Sequence, residues 1–218
     1  MKLAKVFGFV IAALLLAPFA HADGAPVNMV FAGVNGVNDG QYYVSPYLGS
    51  MNGQTVVLFC DDIMNDVTLG QKWQANVTNL GTAISTSNFS NTRYGGVAGS
   101  AVFANPVVAY REAAWLSTQF AGHTNDYISL QHALWDIMNP GAEPTSYGNV
   151  QWWLDQAGQN YGSIDPNDFS IVTNTGQLQL SGQVQEFIIK TPEPGMLAML
   201  LCGLLALAVL LNRGRAIS

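Results

Sequence analysis

The chain contains two cysteines, Cys60 and Cys202. Cys60 ends an apolar run, Val56-Val57-Leu58-Phe59-Cys60, whereas Cys202 falls inside a long apolar stretch near the C-terminus. Segments of such different kind do not bring their thiols together. A lone thiol in an exported chain is unusual, because oxidising compartments consume free thiols. A buried thiol beside a buried glutamine amide has one specific chemistry open to it. The sulfur attacks the amide carbon, ammonia leaves, and an internal thioester remains. Such a bond must be shielded from water, so both residues belong on apolar faces.

Gln131 is the candidate amide. Residues 126 to 138 read as a helix, and advancing about 100° per residue sorts their side chains into two faces. Ser129, His132 and Asp136 cluster on one side. Ile128, Leu130, Leu134, Trp135, Ile137 and Met138 occupy the other, and Gln131 falls among them. Asn125 or Asp126 is placed to cap the start. The one amide of this helix is therefore aimed into the core, where an unpaired polar group costs a few kcal/mol. A second reading of the same pair is a plain buried cysteine with a glutamine bonded to backbone, since unpaired Cys is among the most buried residue types.

Other constellations carry less. Asp61-Asp62-x-x-Asn65-Asp66 concentrates oxygen ligands suited to calcium, but it lacks the glycine and terminal glutamate of an EF-hand loop and reads first as a solvated acidic turn. Cys60 with His132 or His123 and Asp126 would make a cysteine-hydrolase triad, yet no hydrolase signature flanks Cys60 and His132 lies on the polar helix face. One usable cysteine and scattered histidines give no zinc site, so no metal, cofactor or catalytic residue is assigned. Trp152 and Trp153 are adjacent and must face different ways, leaving one to reach the surface, where it could stack on a sugar.

The elements around the pair are legible. Residues 25 to 80 are rich in Val, Tyr and Thr, broken by turn signals at Asn35, Asn38 and Asn52, and Gln54 to Cys60 reads as a buried strand. Residues 81 to 100 read as a long loop. Helices are expected over 106–120, 126–138 and 149–158, with Pro106 in a first turn and Pro140-Gly141 as a stop. Residues 168 to 190 return to strand-like composition around Asn174-Thr175-Gly176 and Ser181-Gly182. Strands over 25–80, helices over 106–158 and strands over 168–190 predict an α+β fold, a β-sandwich or barrel with an inserted helical subdomain.

At Phe59-Cys60 and Leu130-Gln131-His132-Ala133-Leu134-Trp135, the ectodomain resembles the bacterial thioester (TQXA) domains of surface adhesins. Those domains place a cysteine after an aromatic or Leu, and a glutamine in a hydrophobic-Gln-x-x-hydrophobic-hydrophobic motif. Asp61 departs from the pattern, which usually has a hydrophobic residue after the cysteine. The resemblance implies a β-domain with a helical insertion, and a thioester that bonds the protein covalently to amines or hydroxyls of a target.

The two ends read as addresses. Residues 1–22 have Lys2 and Lys5, the apolar run Val6 to Ala17 and the small-x-small site Ala20-His21-Ala22, the pattern of a secretory signal peptide. Residues 196–211 hold no charge, and Arg213 and Arg215 follow. A helix there covers roughly 25 Å, enough for a thin bilayer, with its arginine end in the cytoplasm. Just before it stands Thr191-Pro192-Glu193-Pro194-Gly195, which can continue neither a helix nor a central strand. Pro192-Glu193-Pro194, the apolar helix and the terminal arginines closely resemble the PEP-CTERM sorting signal (191–218). That family is processed by exosortase, a membrane cysteine transpeptidase of Gram-negative bacteria that also make extracellular polysaccharide. The resemblance implies export through the inner membrane, removal of the tail, and release or attachment of the 23–190 ectodomain at the cell surface.

Composition bounds the rest. The 218 residues carry a formal net charge of −6, with 10% charged and 49% hydrophobic side chains. That is ample for a core and far from a disordered chain or coiled coil. Between Asp23 and Lys190 the only basic residues are Lys72, Arg93, Arg111 and Lys190. So acidic a domain argues against nucleic acid or an anionic membrane surface as partner. The expectation is a non-enzymatic surface or matrix protein, engaged in adhesion or associated with biofilm exopolysaccharide. It would work through the Cys60–Gln131 thioester or through non-covalent contacts with glycans or proteins; a cysteine hydrolase is a distant third.

Overall fold

Burial alternates with a period of two along the first four strands, and the computed structural model curls them into a barrel. It describes residues 25–34, 37–83, 89–96, 103, 106–141, 147–175, 184–191 and 203. Residues 1–22, expected to be a signal peptide, the Pro192-Glu193-Pro194 motif, the 196–211 stretch apart from Gly203, Arg213 and Arg215 lie outside them, as do Asn35, Gly176 and Ser181-Gly182. Among the described residues no helix is long and apolar enough to cross a membrane.

Strands β1 (Val27–Val34), β2 (Tyr47–Met51), β3 (Gln54–Cys60) and β4 (Lys72–Asn79) precede helices α1 (Pro106–Gln119), α2 (Tyr127–Met138) and α3 (Val150–Asn160). Strands β5 (Phe169–Asn174) and β6 (Phe187–Lys190) follow. The strands close in the order β1-β2-β3-β6-β5-β4, every neighbour antiparallel, with β4 returning to β1. Of the two expected architectures the chain adopts the barrel, and its three helices enter between β4 and β5. Closure leaves no free sheet edge among these strands.

Local chemistry sets the register. Asn52-Gly53 joins β2 to β3 with Met51 opposite Gln54, and both turn residues have positive φ, 50° and 83°, as a two-residue hairpin turn requires. Inside the barrel Phe187 lies between Tyr47 and Trp73 at ring distances of 6.3 and 6.1 Å. Gly49 is a glycine because a Cβ there would stand 2.7 Å from Leu58 Cδ1 and 3.0 Å from Val30 O. Along β3 Leu58 and Cys60 are fully buried, while Phe59, on the opposite face, meets Phe120 at 5.2 Å. Cys60 is thus an inward residue at the end of its strand, paired with Phe187 of β6.

The helices begin and end near their expected bounds. Pro106 opens α1, where its missing N–H costs nothing. Asn139 and Pro140-Gly141 end α2, with Gly141 at φ 78° and its N–H donating to Asp136 Oδ1 at 3.0 Å. The start of α2 differs from expectation: Asp126 occupies the cap position but makes no side-chain cap bond, because a 3₁₀ turn over Thr124–Asp126 leads straight into the helix. That turn supplies the preceding carbonyls in place of a capping side chain.

Candidate functional site

Helix α2 delivers Gln131 to the end of β3. Both Gln131 and Cys60 are fully buried. The Gln131 amide Nε2 donates to the Cys60 carbonyl oxygen at 2.7 Å, and its Oε1 accepts from the Ser45 backbone N–H at 2.9 Å. Ser45 also holds the cysteine, its Oγ accepting from the Cys60 N–H at 2.9 Å. The Cys60 thiol lies 3.3 Å from the Asp62 carbonyl oxygen, and the Trp135 indole Nε1–H donates to Sγ at 3.5 Å. Burial pushes the Cys60 thiol well above its ordinary value and the nearby Asp62 carboxylate adds to this, while the Trp135 donor works the other way. The sulfur is accordingly a neutral thiol.

His132 is the clearest departure from the sequence reading. It was expected on the polar, solvated face of α2; it is buried, with Nε2 2.8 Å from Asp39 Oδ2. Its ring stacks on Tyr147 at 4.1 Å and meets the Trp135 ring edge-on at 5.3 Å. The face is covered by the turn at residues 37–44 and by the segment around Tyr147, so polarity on the helical wheel there marks a buried hydrogen-bonded pair. Burial pulls the Asp39 carboxyl upward, but the Tyr42 and Gln41 N–H groups and His132 outweigh it and hold it below the usual range. Asp39 and Ser45 flank one short excursion between β1 and β2, which α2 pins at both ends.

The acidic run after Cys60 also departs from expectation. Asp61 and Asp62 are fully buried and form no solvated turn; of the run's polar residues only Asp66 is exposed. Asp62 pairs with Arg93 Nε at 2.8 Å and accepts from Asn65, the Met64 N–H and the Glu186 N–H. Glu186 in turn accepts from the Arg93 N–H, Tyr110 and Thr173. Burial raises both carboxyls, against the pull of Arg93. Asp61 is different: neither of its oxygens has a hydrogen-bond partner, and burial, Glu186 and Asp62 together push it well above the carboxylate range. Asp62 is satisfied by nitrogen donors, and no group of three potential metal ligands is found among the described residues.

The other histidine and aspartate of the imagined hydrolase are elsewhere. His123 is exposed against Trp153, and Asp126 contacts Asn149. The tryptophan pair divides as expected, Trp153 buried and Trp152 52% exposed. An open cavity of ≈ 600 Å³ borders the site, walled by Tyr42, Tyr43, Tyr47, Trp135 and Gln185, with Asp66 its one charged lining residue. Trp135 thus stands between the cavity and the Cys60 sulfur.

The structure brings Cys60 and Gln131 together, 71 residues apart in the chain. Sequence reasoning did not find Ser45, Asp39 or the Arg93 cluster. Ser45 and Asp39 sit in turns without periodicity, but Arg93, one of four cations in so acidic a domain, was a signal for buried carboxylates. Comparison of the chain with protein-family models, with curated proteins and with solved structures gives no match.

Proposed function

We propose that this is an exported surface protein of the extracellular matrix, sorted by exosortase through the Pro192-Glu193-Pro194 tail and its terminal arginines. In this reading its ectodomain adheres to its targets by a Cys60–Gln131 thioester. The observation that carries the reading is the hydrogen bond from Gln131 Nε2 to the Cys60 carbonyl at 2.7 Å, in a site sealed from water. The thiol attacks the amide carbon, nitrogen departs as ammonia, and the acyl group stays on sulfur until an amine or hydroxyl of a surface glycan or protein displaces it. The aromatic cavity against Trp135 gives such a group a place to approach. Neither step needs a cofactor or metal.

A second reading is favoured by a specific observation: both polar ends of the Gln131 amide are already satisfied by backbone. Gln131 would then be a structural pin, and the matrix protein would bind glycans or proteins non-covalently through its aromatic surfaces.

Intact mass of the chain before and after methylamine separates the two. A mass lighter by one ammonia, regained as the methylamine adduct and lost in Cys60→Ala and Gln131→Ala, supports the thioester. An unmodified mass with Cys60 alkylated after unfolding leaves the structural pin. Sorting is tested independently, by whether Glu193→Ala prevents loss of the C-terminal tail in cells that contain exosortase.

A further inference from the structure

We propose that Ser45 and Trp135 supply the two hydrogen-bond donors that run acyl transfer at this site, the Ser45 backbone N–H for the acyl oxygen and the Trp135 indole N–H for the sulfur. This rests on the thioester reading above and assigns catalytic roles to two residues that it does not use.

The first donor is defined by position. The Ser45 N–H stands 2.9 Å from Gln131 Oε1, and both residues are fully buried. When sulfur attacks the amide carbon, the carbonyl oxygen takes on negative charge. A fixed backbone dipole already within hydrogen-bond reach, in a dry site, stabilises that charge without reorganising. The same donor faces the same oxygen when a nucleophile later attacks the thioester. Ser45 is held for this task, because its Oγ is tied to the Cys60 N–H at 2.9 Å, so one residue registers both the cysteine and the glutamine.

The second donor answers a different need. In the thioester the sulfur bears no charge, but on discharge it must depart with the electron pair of its bond to carbon. Among the described residues, the side-chain donor on Cys60 Sγ is Trp135 Nε1, at 3.5 Å. An indole N–H can donate and cannot accept, so its contribution is to stabilise charge and not to shuttle a proton. Burial makes thiolate costly here, and the Trp135 donor opposes that cost.

The chemistry balances with these groups alone. On formation the Sγ–Cδ bond is made, the Cδ–Nε2 bond breaks, and the thiol proton leaves on nitrogen as ammonia. On discharge a primary amine or hydroxyl bonds to Cδ, the Cδ–Sγ bond breaks, and sulfur recovers a proton given up by the nucleophile.

Trp135→Phe in the full chain keeps an aromatic ring and removes the N–H. The expected results are methylamine discharge slowed about 10-fold or more, and ammonia loss after refolding slowed in parallel. In a Gln131→Ala background, where no bond can form, the same change should move the Cys60 thiolate absorbance titration further upward, whereas lost packing, by admitting water to the buried sulfur, would move it downward. If Trp135→Phe fails to melt cooperatively, β-(3-benzothienyl)alanine at position 135 preserves the indole shape without the N–H. For the other donor, the α-hydroxy analogue of serine at position 45 removes that N–H, with an expected slowing of about 100-fold. Ammonia loss and discharge at parental rates in these variants would overturn the assignment and leave the thioester standing. A parent chain that loses no ammonia would overturn both.

Discussion

Gln131 meets Cys60 through the backbone: the amide Nε2–H donates to the Cys60 carbonyl at 2.7 Å while Oε1 takes the Ser45 N–H at 2.9 Å. One side chain therefore ties a helix to the end of a strand and to the turn before β2. Replacing it with Leu would leave a buried N–H and a buried C=O without partners. Measured by urea denaturation against a Cys60→Ala parent, so that no covalent link contributes, Gln131→Leu should cost about 3 kcal/mol. A change within about 0.5 kcal/mol would mean that the two backbone groups find other partners.

Asp61 should be a liability at neutral pH. Its folded-state carboxyl titrates well above the usual aspartate range. A group shifted upward contributes stability that is fully present below the unfolded value and is lost as pH rises through the folded one. Asp61→Asn should therefore stabilise the protein at pH 7 by about 1–3 kcal/mol and flatten the decline that sets in as pH rises from the unfolded aspartate value, about pH 4. Urea midpoints from that pH upward decide it, and an unchanged slope would show that another buried carboxyl carries the dependence.

Asp39 runs the opposite way. Its carboxyl is held below the usual range, so the stability it provides is present above the unfolded value and lost as pH falls through the folded one. Asp39→Asn breaks a pair whose side chains are each 1% exposed. The expected cost at neutral pH is about 3 kcal/mol. Faster amide exchange should be confined to residues 37–45 and include the Ser45 N–H, because α2 would then hold that turn through Gln131 and the Tyr42–Trp135 ring contact without the His132 pair. Exchange rates matching those of the parent protein would separate the His132 pair from the order of the turn.

What the sequence made legible follows from periodicity. The 3.6-residue repeat of α2 put Gln131 in the core, the apolar run ending at Cys60 made a buried strand, and Asn52-Gly53 announced its hairpin. Each is a local signal. Partners distant in sequence were not legible: His132 reads as a surface residue until Asp39, 93 positions earlier, is laid over it. Asp61-Asp62 reads as a solvated turn until Arg93 and Glu186 arrive. The sequence pointed to a β-sandwich or barrel, and closure through the short β3–β6 pairing decided between them.

That pairing has a consequence for the order in which the molecule is made. Cys60 gains its strand partner only when Phe187 reaches it, and Asp62 is bonded to Glu186, 124 residues further along. A chain emerging from the ribosome amino end first carries Cys60 as an unshielded thiol until nearly all of the barrel has been produced. The last strand is thus the stopper of the vessel: the dry pocket that suppresses the thiolate does not exist before it is fitted. An oxidant or electrophile present in that interval would find the thiol at its most vulnerable, and slowing synthesis between Asp62 and Glu186 would lengthen the exposure.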